Sequence, residues 1–307
     1  MRSLKELSPT ELQIIVGFAM GLRKEKGISY RMIVSKVAEE FDVKVSKATV
    51  IRWCKGDSNP FNKIKRINLT PSPELSYIIG VYLGDGSIHQ KSNGRYLIKL
   101  KVVDKEFAET FSKTLLSLGV NSTFGFERDA SRVNRGYVEA SNKELFMFLN
   151  KPVDKLIETA EYYPTEFLRG FFDSEGYPII EAKNRFRVMV GVANSSLKMI
   201  NAVRDMLAQL GINSILRKSH LIGREVVIRG IKYTSKVDMY TLTISRKADV
   251  KRFAKLVGFS SPTKMKKLQF AIQLMDLPND RVISEWHELY YKTPRGYKLK
   301  KTKGKTF

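Results

Sequence analysis

The sequence predicts an α+β protein in which one unit occurs twice in tandem, after a small all-helical domain. Three observations predict this organisation. The stretch IIGVYLGDG, Ile78 to Gly86, has a counterpart 90 residues later in LRGFFDSEG, Leu168 to Gly176. Both stretches are followed by the same order of helical and strand-like patterns, whereas residues 1–56 contain helical patterns only. We therefore expect a pseudo-symmetric core and a separate N-terminal domain.

Residues 1–56 are predicted to form three helices, each preceded by a serine N-cap. Ser8, Ser29 and Ser46 stand before apolar residues at helical spacing, and Gly56 ends the third helix. A helix, a short turn and a short basic helix resemble a helix-turn-helix DNA-binding module. The alternative is an ordinary three-helix bundle with a basic surface. The side chains expected to face DNA are Lys47, Thr49, Arg52 and Lys55.

The rest of the chain is divided by its composition and by the repeat. The second copy is about a dozen residues longer than the first, and we place the insertion in LIGREVVIRGIKYTSKVDMY as an extended hairpin. After the repeats we expect a short helix with Trp286 and Tyr290 packed on the body, and then a basic tail. The predicted segments are a helix-turn-helix domain 1–56, a basic linker 57–73, a first repeat 74–163, a second repeat 164–277, and a C-terminal helix and tail 278–307.

Each nonapeptide is predicted to end a helix that begins at Pro73 or Pro164. Within each helix, two small residues four positions apart share one face, which allows two helix backbones to approach closely. These small residues are Gly80 and Gly84 in the first copy, and Gly170 and Ser174 in the second. We expect Gly86 and Gly176 to end the helices in the left-handed conformation.

The paired nonapeptides resemble the two motifs of the LAGLIDADG homing endonucleases, in their monomeric two-repeat class. Both carry an acid in the eighth place, and the similarity covers Glu74 to about Leu277. The resemblance implies two pseudo-symmetric repeats whose sheets form a saddle-like DNA-binding surface. It also implies a site-specific endonuclease that hydrolyses double-stranded DNA with Mg²⁺ or Mn²⁺, and we expect an intron-encoded or free-standing enzyme.

Asp85 and Glu175, the acids in the eighth place, are expected to lie together at the ends of the two paired helices. A carboxylate at the negative end of a helix dipole is unfavourable, and two neighbouring carboxylates repel each other. A divalent cation removes both penalties, and oxygen ligands suit Mg²⁺. The backbone carbonyl groups of Gly84 and Ser174 are further candidate metal ligands.

The resemblance implies polar and basic residues around the two acids. The strand-end polar position of the family falls on Asn194 in the second repeat and on Val102 in the first, where members of the family often have glutamine or lysine. The late catalytic lysine of the family resembles Lys266, with Lys264 as the alternative register. In the first repeat, Lys155 is the matching lysine.

Basic residues on the predicted strands are candidates to contact DNA, because every second strand residue projects from the same face. The alternative is that such residues only guard a sheet edge. The candidates in the two repeats are Arg95, Lys99, Lys101, Arg185, Arg187, Arg217, Arg229, Lys232 and Arg246.

Composition indicates a partner that is a polyanion. The 307 residues carry a formal net charge of +23, with 54 Lys and Arg against 31 Asp and Glu. The single cysteine, Cys54, excludes an internal disulfide and a multi-cysteine zinc site. We expect a soluble, cytoplasmic monomer without a membrane span, and the Lys, Arg and Glu content is a weak sign of a thermophile.

Two other functions are compatible with the sequence. One is an RNA maturase that assists intron splicing, as some members of the resembled family do. The other is a DNA-binding regulator with a non-catalytic core, which we expect to have lost the acids. Both Asp85 and Glu175 are present, and this favours the endonuclease.

Overall fold

The computed structural model describes residues 1–4, 6–56, 67–92, 94–129, 132–228, 231–293 and 296–300. The chain divides into two compact units, Met1–Arg66 and Ile67–Phe307. Within the described ranges, no helix is both long and apolar enough to cross a lipid bilayer. The DNA-contact candidate Arg229, most of the predicted linker and the last seven residues of the tail lie outside these ranges.

The first unit is a small domain of three helices with a short parallel pair of strands that the sequence did not predict. Its elements are β1 (Arg2–Ser3), α1 (Pro9–Lys26), α2 (Tyr30–Phe41), β2 (Val43–Lys44) and α3 (Lys47–Lys55). Ser8 caps α1 in a capping box with Glu11, and Gly56 ends α3 with φ 76°. Val50 and Trp53 of α3 are buried among apolar residues of α1 and α2, so α3 can only expose its other face.

The second unit contains the repeated order of elements. The first copy is α4 (Pro73–Leu83), β3 (Gly86–Gln90), β4 (Tyr96–Val102), α5 (Lys105–Ser117), β5 (Ser122–Asp129), β6 (Arg132–Ser141), α6 (Lys143–Leu149) and α7 (Val153–Ala160). The second copy is α8 (Pro164–Glu175), β7 (Gly176–Ala182), β8 (Phe186–Asn194), α9 (Leu197–Gln209), β9 (Ile215–His220), β10 (Glu225–Ile228), β11 (Ile231–Thr234), β12 (Met239–Ile244), α10 (Lys247–Leu256) and α11 (Pro262–Leu274).

Each copy forms an antiparallel four-stranded sheet with the same topology. The strand orders are β3-β4-β6-β5 and β7-β8-β12-β9. Val102 is paired with Gly136 in the first sheet, and its counterpart Asn194 is paired with Tyr240 in the second. The predicted insertion forms the separate antiparallel hairpin β10-β11. The predicted pseudo-symmetric α+β fold is confirmed.

Helices α4 and α8 pack directly against each other in the centre of the second unit. A Cβ atom placed on Gly80 would lie 2.2 Å from the carbonyl oxygen of Phe167, and one on Gly170 would lie 2.3 Å from that of Tyr77. The two backbones therefore touch where only glycine fits, as the spacing of small residues predicts. Ile78, Val81 and Phe171 fill the surrounding core.

The predicted left-handed conformation of Gly86 and Gly176 is wrong. Gly176 has φ −88°, and Gly86 is absent from the described residues with positive φ. Both glycines begin a strand at once, so no left-handed turn intervenes. They are needed for space instead: a Cβ on Gly86 would lie 2.6 Å from the Cα of Tyr82, and one on Gly176 would lie 2.5 Å from the carbonyl oxygen of Phe172.

The C-terminal segment is more ordered than a basic tail. It consists of α12 (Asn279–Leu289) and the antiparallel strands β13 (Tyr290–Thr293) and β14 (Gly296–Leu299). Trp286 is fully buried and its ring is stacked on that of Tyr290 at 4.2 Å, which confirms the predicted packing. The described residues of this segment, 279–293 and 296–300, therefore belong to the folded body.

Candidate active site

Asp85 and Glu175 lie together at the ends of α4 and α8. Glu175 is the last residue of α8, and Asp85 follows Gly84, the C-cap of α4. A Cβ on Gly84 would lie 2.4 Å from the Cβ of Ser174 and 3.4 Å from the Cγ of Glu175. The close glycine contacts of the two helices thus bring the two carboxylates to one place.

Both carboxylates have raised pKa values. Burial raises the pKa of Glu175, and the negative charge of Asp85 raises it further. Asp85 keeps an exposed edge, yet the packed helix ends desolvate it enough to raise its pKa as well. Lys264 acts in the opposite direction on both groups. The pKa values of both carboxylates stay raised despite this neighbouring positive charge.

Asn194 is positioned to hold Glu175. Its Nδ2 donates a hydrogen bond to Glu175 Oε1 at 3.4 Å, and its Oδ1 accepts one from the backbone N–H of Ser196 at 2.9 Å. The second bond orients the amide, so that its NH₂ group faces the carboxylate. The hydrogen bond lowers the pKa of Glu175 against the effect of burial.

Lys264, and not Lys266, is the lysine of α11 that lies near the acids. The two positions are about 200° apart around a helix. Lys264 is partly buried, whereas Lys266 is exposed. Lys264 Nζ donates to the carbonyl oxygen of Asp173 at 2.7 Å, and burial lowers its pKa. This placement favours the alternative register over the first choice made from the sequence.

A buried aspartate fixes the surroundings of Lys264. Asp173 is 2% exposed, its Oδ2 accepts a hydrogen bond from the hydroxyl of Tyr77 at 2.9 Å, and its Oδ1 accepts one from the N–H of Ser260 at 2.7 Å. Burial raises the pKa of Asp173, and these donors oppose the rise. Asp173 thus joins α4, α8 and the segment before α11.

A second contact joins the two repeats at the same place. The hydroxyl of Ser261, the N-cap of α11, donates to Oδ2 of Asp104, the N-cap of α5. The start of α11 is therefore held from both repeats. Lys264 stands in the first turn of this anchored helix.

The first repeat offers Arg135 as the charged group near its acid. Val102 is buried and carries no polar atom, and Lys155, in the first turn of α7, pairs with Glu158 at 2.8 Å with 62% of its side chain exposed. Arg135 of β6 lies near enough to Asp85 to lower its pKa. Sequence reasoning missed Arg135, since Asn134 and Gly136 on either side resemble a turn.

The predicted DNA-contact residues of the first sheet carry partners of opposite charge. Lys99 Nζ lies 3.5 Å from Glu139 and 4.3 Å from the ring centroid of Tyr137, and Lys101 Nζ lies 3.0 Å from Glu127. All are on the sheet face opposite the helices, by their alternation with buried residues. This face therefore offers both donors and acceptors.

The other predicted DNA-contact residues are spread over several elements. In the second repeat, Arg187 and Arg217 are exposed on the outer face of the sheet, and Arg185 is exposed in the turn before β8. Further residues are Arg95 just before β4, Lys232 in the inserted hairpin, Arg246 as the N-cap of α10, and Lys47, Thr49, Arg52 and Lys55 on α3.

The donor set at the acids fits a hard divalent cation. Carboxylate oxygens with backbone carbonyls and water are the usual ligands of Mg²⁺. The described residues contain no group of three or more His, Cys, Asp or Glu side chains that could hold a metal. A cation bound by Asp85 and Glu175 would therefore keep coordination positions for other oxygens, and it would offset the repulsion that raises the pKa of Glu175.

Comparison with known proteins gives three main findings. The model of the LAGLIDADG-like domain family matches residues 72–146 and 163–258. An uncharacterized protein of Methanocaldococcus jannaschii is 42% identical over 277 residues, which are 90% of this chain and 99% of that protein. The homing endonuclease I-ApeI of Aeropyrum pernix is 26% identical over 212 residues, 63% of this chain and 85% of that protein.

A solved structure is also similar to part of this chain. The structure of I-DmoI in complex with DNA and Ca has a TM-score of 0.45 and 14% sequence identity, and the match covers 64% of this chain and 97% of that chain.

Proposed function

Because the chain belongs to the LAGLIDADG family of homing endonucleases, we propose that it is a site-specific endonuclease of double-stranded DNA, encoded within an intron. The observation that carries this proposal is the carboxylate pair Asp85 and Glu175. These acids stand at the ends of α4 and α8, and the backbones of these helices touch too closely for any residue but glycine. A plain packing motif does not require an acid at both ends, since the two acids repel.

Asp85 and Glu175 would hold Mg²⁺ or Mn²⁺, with the carbonyl groups of Gly84 and Ser174 as further ligands. The bound cation would stabilise negative charge on the scissile phosphate and lower the pKa of an attacking water. Asn194 keeps Glu175 oriented through its amide. These assignments explain why the amide of Asn194 is directed at Glu175, which lies close to Asp85.

Lys264 would supply positive charge to the reacting phosphate. Its ammonium group has three donors, and one is used by the carbonyl oxygen of Asp173. The described residues show no other acceptor for this group, so its remaining donors can bind an anion next to the acids. A preorganised charge of this kind costs little reorganisation during the reaction. On the side of the first repeat, we assign the corresponding role to Arg135.

DNA would lie along the outer faces of the two sheets. Lys99, Lys101, Arg187 and Arg217 project there, and the carboxylates beside the two lysines can accept from the amino group of cytosine. We also propose that α3 of the first unit contacts DNA, because Lys47, Arg52 and Lys55 share its exposed side.

Cleavage of a randomised duplex library in Mg²⁺ tests the proposed activity. We expect Asp85→Asn and Glu175→Gln to abolish cutting and to leave duplex binding in place. Glu166→Gln is the matched control, since it changes a carboxylate in the first turn of the same helix α8. Full cutting by both acid variants would refute the active site.

The same preparation distinguishes the two other functions. A wild type that cuts no duplex, but accelerates intron splicing equally with and without the acids, would identify a maturase. Binding of duplex without any cutting or splicing would identify a non-catalytic regulator. For α3, we expect Arg52→Ala to weaken duplex binding, and an unchanged dissociation constant would reject that part of the proposal.

A further inference from the structure

The C-terminal hairpin β13-β14 is hydrogen-bonded to the end of the β7-β8 hairpin that lies away from Glu175. The hydroxyl of Tyr297 donates to the carbonyl oxygen of Ala182 at 2.9 Å, and Nε2 of His287 lies 3.1 Å from the same oxygen. Lys267 Nζ donates to the carbonyl oxygen of Tyr297 at 2.9 Å. These contacts fix β14 against the second repeat, although the hairpin lies beyond the residues that match the family.

The strand register directs Lys292 toward the β7-β8 turn. Lys292 is paired with Tyr297, and directly opposite residues of antiparallel strands share a face. Tyr297 is buried against the body, so Lys292 projects on the same side. There it meets Lys183, whose positive charge lowers the pKa of Lys292. The fold thus holds two ammonium groups near each other.

The two lysines belong to a groove of about 680 Å³ between the hairpins. Among the described residues that line it, four are cationic and Glu181 is the acid. Glu181 is paired with Arg187 across β7 and β8, so it offsets one arginine. The cationic residues of this C-terminal groove are Lys183, Arg185, Arg187 and Lys292.

We propose that the C-terminal groove binds phosphate groups of the DNA backbone beyond the segment at the acids. The inference rests on the proposed function, because it takes duplex DNA as the partner. Like charges that the fold holds together are relieved by an anion with several acceptor oxygens. Lysine and arginine side chains suit phosphate in this way without reading sequence.

The groove extends the bound segment on the side of the second repeat. Strand β7 runs from Gly176, next to Glu175, to Ala182 at the groove. Six steps along a strand span about 20 Å. For a duplex along the strands, this is about six base pairs from the acids. The C-terminal hairpin would therefore lengthen the footprint of this chain beyond that of the repeats alone.

Salt-dependent binding of the full chain to a 40-base-pair duplex of random sequence tests the inference. The buffer contains EDTA, so binding is measured without cleavage. The groove variant is Lys183→Ala/Lys292→Ala. The matched control is Lys298→Ala/Lys300→Ala, which removes the same charge from the other face of β14 and from the residue that follows this strand. Thermal melting confirms that both variants fold like the wild type.

The slope of log K against log salt is negative, and we expect it to become less steep by about two in the groove variant. This change corresponds to binding up to about 60-fold weaker at 0.1 M salt. The control should stay within about twofold of the wild type. Equal slopes in the two variants would overturn the inference and leave the proposed function standing. A wild type that binds no duplex would overturn both, and a groove effect seen with RNA but not with duplex DNA would overturn the inference.

Discussion

Replacing Gly80 by alanine tests the central claim about the paired helices. The new Cβ would lie 2.2 Å from the carbonyl oxygen of Phe167, whereas real Cβ contacts essentially never fall below 3.0 Å. Helices α4 and α8 must therefore separate by close to 1 Å, or their backbones must bend. A gap of about that size forfeits a quarter to a half of each van der Waals contact across it.

The magnitude follows from two opposing effects. Overpacking of a close-packed interface costs about 3 kcal/mol at the upper end of its range, and alanine gains about 1 kcal/mol over glycine in a helix. The expected net loss is about 2 kcal/mol. For a unit of this size, about 2 kcal/mol lowers the melting temperature by roughly 4–8 °C.

Ser76→Ala is the control in the same helix. The Oγ atom of Ser76 is buried and has no hydrogen-bond partner among the described residues. Alanine there removes an unsatisfied hydroxyl and improves helix propensity, so we expect a rise of about 1–4 °C. Calorimetric melting of the full chain measures both variants. A Gly80→Ala protein that melts at or above the wild-type temperature would refute the close contact of α4 and α8.

Three further predictions concern the site. The folded-state pKa of Glu175 is raised above its ordinary value near 4.5, so the folded state binds more protons and the free energy of unfolding falls as pH rises above about 4.5. Denaturant unfolding in EDTA between pH 4.5 and 8 measures this free energy, and its plot against pH should be flatter for Glu175→Gln than for the wild type. Equal plots for the two proteins would contradict the pKa shift. Lys264→Met should slow single-turnover cleavage about 100-fold while Lys266→Met stays within about twofold, and the reverse order would return the role to Lys266. Tyr77→Phe should lower stability by about 1–3 kcal/mol, because buried Asp173 loses a donor, and an unchanged melting temperature would contradict that bond.

Local signals in the sequence predicted most of the fold. Each serine cap and each helix start depends on residues within one turn, so Ser8, Ser29 and Ser46 could be read directly. The repeat predicted the shared sheet topology, because two copies of one pattern fold alike. Gly80 and Gly170 predicted the contact between α4 and α8, because small residues on one face of a helix let two helix backbones approach closely.

The rest of the site depends on contacts between distant segments. Whether Lys264 or Lys266 faces the acids depends on where α11 begins, and Ser261 fixes that start through Asp104. Such a cross-repeat bond leaves no periodic signal. Arg135 was hidden by turn-forming neighbours, although the register of β6 carries it to the end of the sheet near Asp85.

The bonds between the repeats bear on the construction of chimeric enzymes. Tyr77 and Asp104 belong to the first repeat, and their partners Asp173 and Ser261 belong to the second. A half exchanged for that of another protein would leave Asp173 buried with one donor fewer and α11 without its anchor. Either half of this chain can therefore be transferred to another protein only if the new neighbouring half supplies the matching two residues.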